Sequence, residues 1–272
     1  MAPTHRGCAL VSVTKHHHRQ FLSADHFHHG LIGFDRRVAI EWLETVSWKQ
    51  ARGVTSAELR KAGHGLLRSQ YPSKVARGKT LTVIFHLWVQ VPQKAVVLRN
   101  AAACLLKDLD SQRRIALHWG LAVATYPFFR DVADVAGRLL SLQRNVSLAQ
   151  LRRRVLERWG RSSTAERAIQ RIVRSWTDWG VLHESDKRGT YTAAAPIKIE
   201  GTLGAWLIEA LLVGSDLDSI PVGKIKANPV LFPFEIHVLP SDLERAPRLI
   251  VQEVVSRRNT ARKSHDQSRT EL

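Results

Sequence analysis

The sequence has only two cysteines, Cys8 and Cys104, far apart in a chain of 272 residues. A disulfide framework or a four-cysteine metal site needs more cysteines than this, so we expect neither. Cys104 lies in the apolar run Ala101–Leu106, and we expect it to be a small buried side chain. Unpaired cysteines are typical of the reducing cytoplasm, where we expect the protein to act.

Long apolar runs are also missing. A membrane helix needs about 20 consecutive apolar residues, and the longest candidates here, Leu81–Val91 and Gly120–Ala124, are too short. The amino terminus carries basic residues without the apolar segment of a signal peptide. The sequence therefore predicts no contact with a membrane.

Catalytic motifs are absent as well. The sequence contains no glycine-rich phosphate loop, no nucleophile elbow and no helical zinc pair with its glutamate. The acidic pair nearest to a nuclease site, Asp216 and Asp218, is predicted to lie in a loop without a partner acid. We expect His118 at the edge of the core and Glu209 on the exposed side of an apolar helix. We therefore predict no enzyme and no cofactor.

Acidic residues are scarce: 24 Asp and Glu face 41 Lys and Arg, for a formal charge of +17. Such an excess favours a polyanionic partner, nucleic acid before membrane. Much of it lies between Arg144 and Ser175, where nine arginines face two acids. This segment is the first candidate for a binding surface.

The same segment has the pattern of two helices and a hairpin. Ser147 and Gln150 form a predicted capping box for a helix that Gly160 ends, and Ser163 and Glu166 form another. The second helix is predicted to bury one face, made of Ala165, Ala168, Ile169, Ile172, Trp176 and Trp179. Strands at 181–184 and 190–193 follow, around a polar turn at 186–189. Helix pair and hairpin together predict a winged helix-turn-helix over residues 128–196.

The opposite face of the second helix is basic, and arginine suits both phosphates and guanine edges. We predict double-stranded DNA as the partner. The predicted major-groove residues are Arg167, Gln170, Arg171 and Arg174. The predicted contacts from the preceding helix, the turn and the wing are Arg152, Arg153, Arg158, Arg161, Lys187 and Arg188.

Other interpretations of this face stay open. One alternative is a solvated helix face in a protein that is basic throughout. Many winged helices bind proteins, so a scaffold subunit of a larger complex is the alternative function. RNA binding suits the charge but lacks an exposed aromatic platform.

The flanking regions complete a mainly α fold class with an N-terminal helical domain, a central winged helix-turn-helix and a small C-terminal α+β unit. Residues 35–127 are the predicted helical domain, and 197–255 the α+β unit. Within them we expect a loop at Ser69–Lys79, a helix over Leu81–Val91 in preference to a strand, and strands at Phe232–Leu239 and Leu249–Val255.

Both ends are predicted to be disordered. Residues 1–34 hold seven of the thirteen histidines, and a metal-binding patch there is the alternative, although no cysteine or carboxylate spacing supports it. Residues 256–272 form a basic tail that could add phosphate contacts.

Three short motifs carry a resemblance to a known family. They are the segments Ile115–Trp119 and Ala124–Arg130, and the Leu-Phe-Pro-Phe element at Leu231–Phe234. With the helix-turn-helix and wing between them, residues 40–255 resemble the BrxA family of BREX phage-defence systems. The resemblance implies a helical N-terminal region joined to winged-helix elements, and a non-enzymatic DNA binder that works with other defence proteins. The His-rich N-terminus and the basic tail depart from the family pattern.

Overall fold

The computed structural model describes residues 8–13, 32–215 and 219–254, and this part of the chain is mainly helical, as predicted. Strand β1 (Cys8–Val13) comes first, and six helices follow Phe34. They are α1 (Ile40–Ala51), α2 (Ser56–Leu66), α3 (Lys74–Trp88), α4 (Val96–Leu105), α5 (Ser111–Thr125) and α6 (Pro127–Gln143).

Helix α3 begins earlier than the sequence pattern predicted. The hydroxyl of Ser73 accepts a bond from the backbone N–H of Ala76 and starts the helix at Lys74. The predicted loop at Ser69–Lys79 is therefore wrong from Lys74 onward, because its polar residues lie on the exposed first turns of a helix. The helix predicted over Leu81–Val91 is confirmed as far as Trp88.

The central segment contains strand β2 (Asn145–Ser147), helices α7 (Leu148–Trp159) and α8 (Ser163–Asp178), and strands β3 (Leu182–Glu184) and β4 (Thr190–Ala193). The three strands form one antiparallel sheet in the order β2-β4-β3. The two strands of the predicted hairpin are thus confirmed. Strand β2, between α6 and α7, adds a third that the sequence pattern did not indicate.

Two small sheets and a buried helix follow. In chain order the elements are β5 (Ile197–Glu200), α9 (Gly201–Gly214), β6 (Ser219–Pro221), α10 (Val222–Ile225), β7 (Phe234–His237), α11 (Pro240–Glu244) and β8 (Leu249–Val254). Strands β5 and β7 pair in parallel, and β1 lies between β6 and β8 in an antiparallel sheet.

Strand β1 corrects the expectation of a disordered amino terminus. Cys8–Val13 pairs with β8 along its whole length, and Val11 is fully buried. The disorder prediction is therefore wrong for these residues. The seven histidines of residues 1–34, the Asp216–Asp218 pair and the basic tail at 256–272 lie outside the described residues.

Aromatic side chains join the three regions at the centre of the core. The ring of Trp119 on α5 lies 5.2 Å from that of Trp176 on α8, 5.1 Å from Phe129 on α6 and 5.4 Å from Phe232. The Trp119 indole N–H also donates to the carbonyl of Val230 at 3.0 Å. Buried rings of this size contribute much of the packing energy of a core, so α8 is held by residues far from it in sequence.

Helix α6 approaches the C-terminal region without an intervening side chain. A Cβ atom at Gly137 would lie 2.0 Å from the carbonyl oxygen of Pro229. Only glycine allows this contact between backbones. Gly137 therefore fixes the distance between α6 and the turn that precedes β7.

Two side chains are placed differently from expectation. Cys104 is exposed instead of buried, because it lies on the outer side of α4. Glu209 is buried instead of exposed, since α9 is covered on all sides and Arg248 reaches in to form an ion pair with it.

No single helix in the described ranges has the length and apolar character to cross a membrane. Helix α3 and residues 93–108, which are bent relative to each other, meet these criteria of length and composition when they are taken together.

Candidate nucleic-acid interface

Helix α7 is held at both ends by the predicted signals. The Ser147 hydroxyl accepts a bond from the Gln150 N–H, and the Gln150 side chain accepts one from the Ser147 N–H, which confirms the capping box. Gly160 ends the helix with φ of 74°, a left-handed conformation that favours glycine. The chain then turns sharply toward α8.

Helix α8 begins one residue earlier than its predicted capping box. The cap is Ser162, whose hydroxyl accepts a bond from the Ala165 N–H at 3.1 Å. The predicted box between Ser163 and Glu166 is therefore wrong. Ser163 instead occupies the first helical position, where its hydroxyl accepts a bond from Arg167 at 3.1 Å.

One face of α8 is buried along its length, as predicted. Its buried residues are Ala165, Ala168, Ile169, Ile172, Val173, Ser175 and Trp176. Trp179, directly after the helix, is also buried, and its indole N–H donates to the carbonyl of Val38. Because apolar residues take this face, the arginines of the helix are left on the solvent side.

The exposed face of α8 adjoins α7 on one side. Arg167 lies exposed near the start of the helix. Gln170 is half-buried, and its side-chain oxygen lies 3.5 Å from an Nη atom of Arg152 on α7, a long contact. The polar surfaces of the two helices are thus continuous.

Arg171, on the other side of α8, is already engaged within the protein. Its Nη1 atom donates to the backbone carbonyl of Asp35 at 2.5 Å. Burial, reinforced by the nearby positive charge of Arg36, lowers the pKa of Arg171. Arg174, one turn further along, is exposed. Arg167 and Arg171 were both predicted to enter the major groove, but Arg167 is exposed whereas Arg171 is partly buried and bonded to Asp35.

The α7 residues occupy a range of environments. Arg153 is exposed, and Arg161 is exposed in the turn. Arg158 forms an ion pair with Asp131 at 3.2 Å, and the same carboxylate accepts a bond from Trp159 at 2.9 Å. The Arg158 side chain is still 64% exposed, so its guanidinium remains accessible beside the carboxylate.

The hairpin carries Lys187 and Arg188 at its exposed tip. The tip is ordered by bonds to Gly189: its N–H donates to the Glu184 carboxylate at 3.0 Å, and its carbonyl accepts from the Leu148 N–H at 2.8 Å. The second bond ties the tip to the start of α7. The two cations of the hairpin are therefore held near the basic helices.

Sequence reasoning missed a basic cleft on the far side of α8. The cleft has a volume of about 550 Å³. It is lined by Arg36, Arg37, Gln70, Tyr71, Ser73, Val75, Ala76, Lys79, Thr80, Arg171 and Arg174. The available signal was the Arg36-Arg37 pair beside the buried Phe34, but nothing local predicts that this pair meets α8.

His118 is held in the core by hydrogen bonds at both ring nitrogens. It is completely buried, deeper than the predicted core edge. Its Nδ1 accepts a bond from the Trp88 indole at 3.0 Å, so Nε2 carries the proton and donates to Glu44 at 2.9 Å. Burial lowers the pKa of His118, which favours this neutral form.

Within the described ranges, no group of three or more His, Cys, Asp or Glu side chains is placed to hold a metal ion. No family model, curated protein or solved structure matches this chain.

Proposed function

We propose that the protein is a non-catalytic, double-stranded-DNA-binding protein of the cytoplasm, and that residues 128–196 form a winged helix-turn-helix. The main observation behind this proposal is that α8 has a buried apolar face and an exposed basic face. The helix order and the β2-β4-β3 sheet agree with the winged-helix arrangement.

In this proposal the amino-terminal half of α8 enters the major groove. Arg167 and Gln170 read base edges there, since a guanidinium suits guanine and a carboxamide suits adenine. Arg152, Arg153, Arg158 and Arg161 contact phosphates of the flanking backbone, and Lys187 and Arg188 contact the backbone or the neighbouring groove from the wing. Arg171 and Arg174 contribute from the carboxyl-terminal half, beside the cleft.

The test is a charge reversal matched for net charge. The double variant Arg153→Glu/Arg167→Glu changes one exposed residue on each helix and leaves the Arg171–Asp35 bond intact. The control Lys107→Glu/Lys224→Glu makes the same change in charge at exposed residues elsewhere.

We expect the first variant to weaken binding of a random duplex by at least about tenfold at moderate salt, as is typical for loss of direct contacts. The control should bind within about threefold of wild type, because it changes only the long-range field. Equal affinities for the two variants, measured by fluorescence anisotropy, would sink the proposal.

The resemblance to the BrxA family supports a more specific role, in which the contact serves phage defence together with other proteins. Plating efficiency of phage on cells with and without the gene tests this role. An unchanged efficiency across a phage panel would count against it.

A protein-interaction subunit is the second candidate, and one observation favours it. Val135, Leu139 and Leu142 on α6 line a groove of about 520 Å³ against α7, and Leu142 is 84% exposed. Apolar side chains that line a surface groove suit contact with another protein better than contact with the phosphates of DNA. Stable co-purification with a partner, combined with DNA binding that hardly responds to salt, would favour this function over the first.

A further inference from the structure

The cleft beside α8 concentrates positive charge from three parts of the chain. Arg36 and Arg37 come from the segment before α1, Lys79 from α3, and Arg171 and Arg174 from α8. Among the residues that the structure describes, none of those lining the cleft is acidic. Five cations around one cleft repel each other, and an anion bound between them would relieve that repulsion.

Two carboxylates lie close to the cleft and neutralise part of this charge. Arg37 forms an ion pair with Asp178 at 2.5 Å, and Arg36 lies 3.7 Å from the Asp35 carboxylate. Arg171 is committed to the Asp35 carbonyl. Within the described ranges, neither Lys79 nor Arg174 forms an ion pair or a side-chain hydrogen bond with another residue, and both side chains are exposed. These two cations are therefore available to a ligand.

The cleft also has the first turn of α3 in its wall, through Ser73, Val75 and Ala76. The first turn of a helix carries a partial positive charge, and in this turn the Ser73 hydroxyl already accepts the N–H of Ala76. The first turn of α3 contains no acidic residue. The backbone thus adds to the field of the side chains.

The position of the cleft relative to α8 identifies the source of the anion. Gln170 and Arg171 are neighbours in the helix and project about 100° apart. Gln170 faces Arg152 on α7, whereas Arg171 faces Asp35 at the cleft. The exposed strip of α8 that carries Arg167 is therefore bordered by α7 on one side and by the cleft on the other.

A helix about 10–12 Å wide fills a major groove about 12 Å wide, so phosphate backbones run along both of its sides. If α8 enters the groove, α7 meets one backbone and the cleft meets the other. We propose that the cleft is a phosphate-binding site, and that the phosphate it takes is a backbone phosphodiester of the DNA held by α8. This inference rests on the proposed function for the identity of the ligand.

Lys79 provides the decisive test, because it lies on a different helix from every residue of the predicted winged helix. Its variant Lys79→Gln removes one charge from an exposed position and leaves the bonds of Arg37 and Arg171 in place. Lys107→Gln is the matched control at another exposed lysine, and Lys79→Arg restores the charge.

Affinity for a random duplex is measured between 50 and 200 mM salt. Loss of one phosphate contact lowers the slope of log affinity against log salt by about 0.9. The ratio of wild-type to Lys79→Gln affinity should then shrink about 3.5-fold across this range. Lys107→Gln and Lys79→Arg should follow the wild-type line.

If wild type binds the duplex and Lys79→Gln has the same slope and affinity, the cleft inference is overturned and the proposed function stands. If wild type does not bind the duplex, both the proposed function and the DNA assignment fail. Calorimetric titration with inorganic pyrophosphate then decides whether the cleft binds phosphate at all. Binding that is lost in Lys79→Gln keeps the cleft as a site for a free phosphorylated molecule, and absence of binding overturns the phosphate site itself.

Discussion

The contact between Gly137 and Pro229 allows a quantitative prediction about the junction of α6 with the C-terminal region. In Gly137→Ala, the added Cβ would lie 2.0 Å from the Pro229 carbonyl oxygen, about 1.4 Å closer than the 3.4 Å at which ordinary contact begins. The obstacle is backbone, so no side-chain rotation can relieve it. Inserting a methyl group into such a contact costs about 1–3 kcal/mol or more, while alanine in a helix gains about 1 kcal/mol over glycine.

We therefore expect Gly137→Ala to lower the free energy of unfolding by about 2 kcal/mol, from the upper end of that range less the helical gain. Gly78→Ala is the matched control, because Gly78 lies inside α3 and a Cβ there meets nothing within 4 Å. The control should raise the free energy of unfolding by up to about 1 kcal/mol. Urea unfolding followed by circular dichroism measures both. A midpoint for Gly137→Ala at or above that of wild type would refute the reasoning about this contact.

Two further predictions concern titration and reactivity. Because burial lowers the pKa of His118, the unfolded chain takes up a proton below about pH 6.5 that the folded chain does not. The stability that neutral His118 contributes should be fully present above that pH and be lost as the pH drops below it. Between pH 7.5 and 5.5, the free energy of unfolding measured by urea titration should therefore fall less for His118→Gln than for wild type. An equal loss of free energy of unfolding in the two proteins would contradict this role of His118. In a Cys8→Ser background, exposed Cys104 should react with Ellman's reagent in the folded protein about as fast as in urea, and the added change Cys104→Ser should abolish the reaction. If the Cys104 thiol of this background reacts only after unfolding, its exposure is contradicted.

The helices of the candidate site could be predicted because their signals are local. Ser147 with Gln150 and the glycine at 160 mark the limits of α7 within one helix length. The spacing from Ala165 to Trp176 also identifies the buried face of α8. Caps and amphipathic spacing act within a few turns, so they can be recognised without the rest of the fold.

The features that were missed depend on partners distant in sequence. Strand β1 finds its hydrogen-bonded partners in β6 and β8, more than 200 residues later. Glu209 is buried because Arg248 reaches it. The cleft forms because the Arg36 segment and α3 both lie against α8, and no local sequence pattern predicts such a long-range contact. A composition typical of a tail or an exposed face is overridden when tertiary packing supplies a partner.

The aromatic contacts of Trp176 have a consequence for transferring this site to another protein. Trp176 on α8 is covered by Trp119 from α5 and by Phe232 from the turn before β7. A fragment limited to residues 128–196 would keep Phe129 against this indole but would lose the rings of Trp119 and Phe232, and the side that they cover would be open to water. The helix is therefore not a portable module. The outward-facing side chains of α8 are best exchanged in the intact chain, and a graft of the helix would have to carry α5 and the Phe232 turn with it.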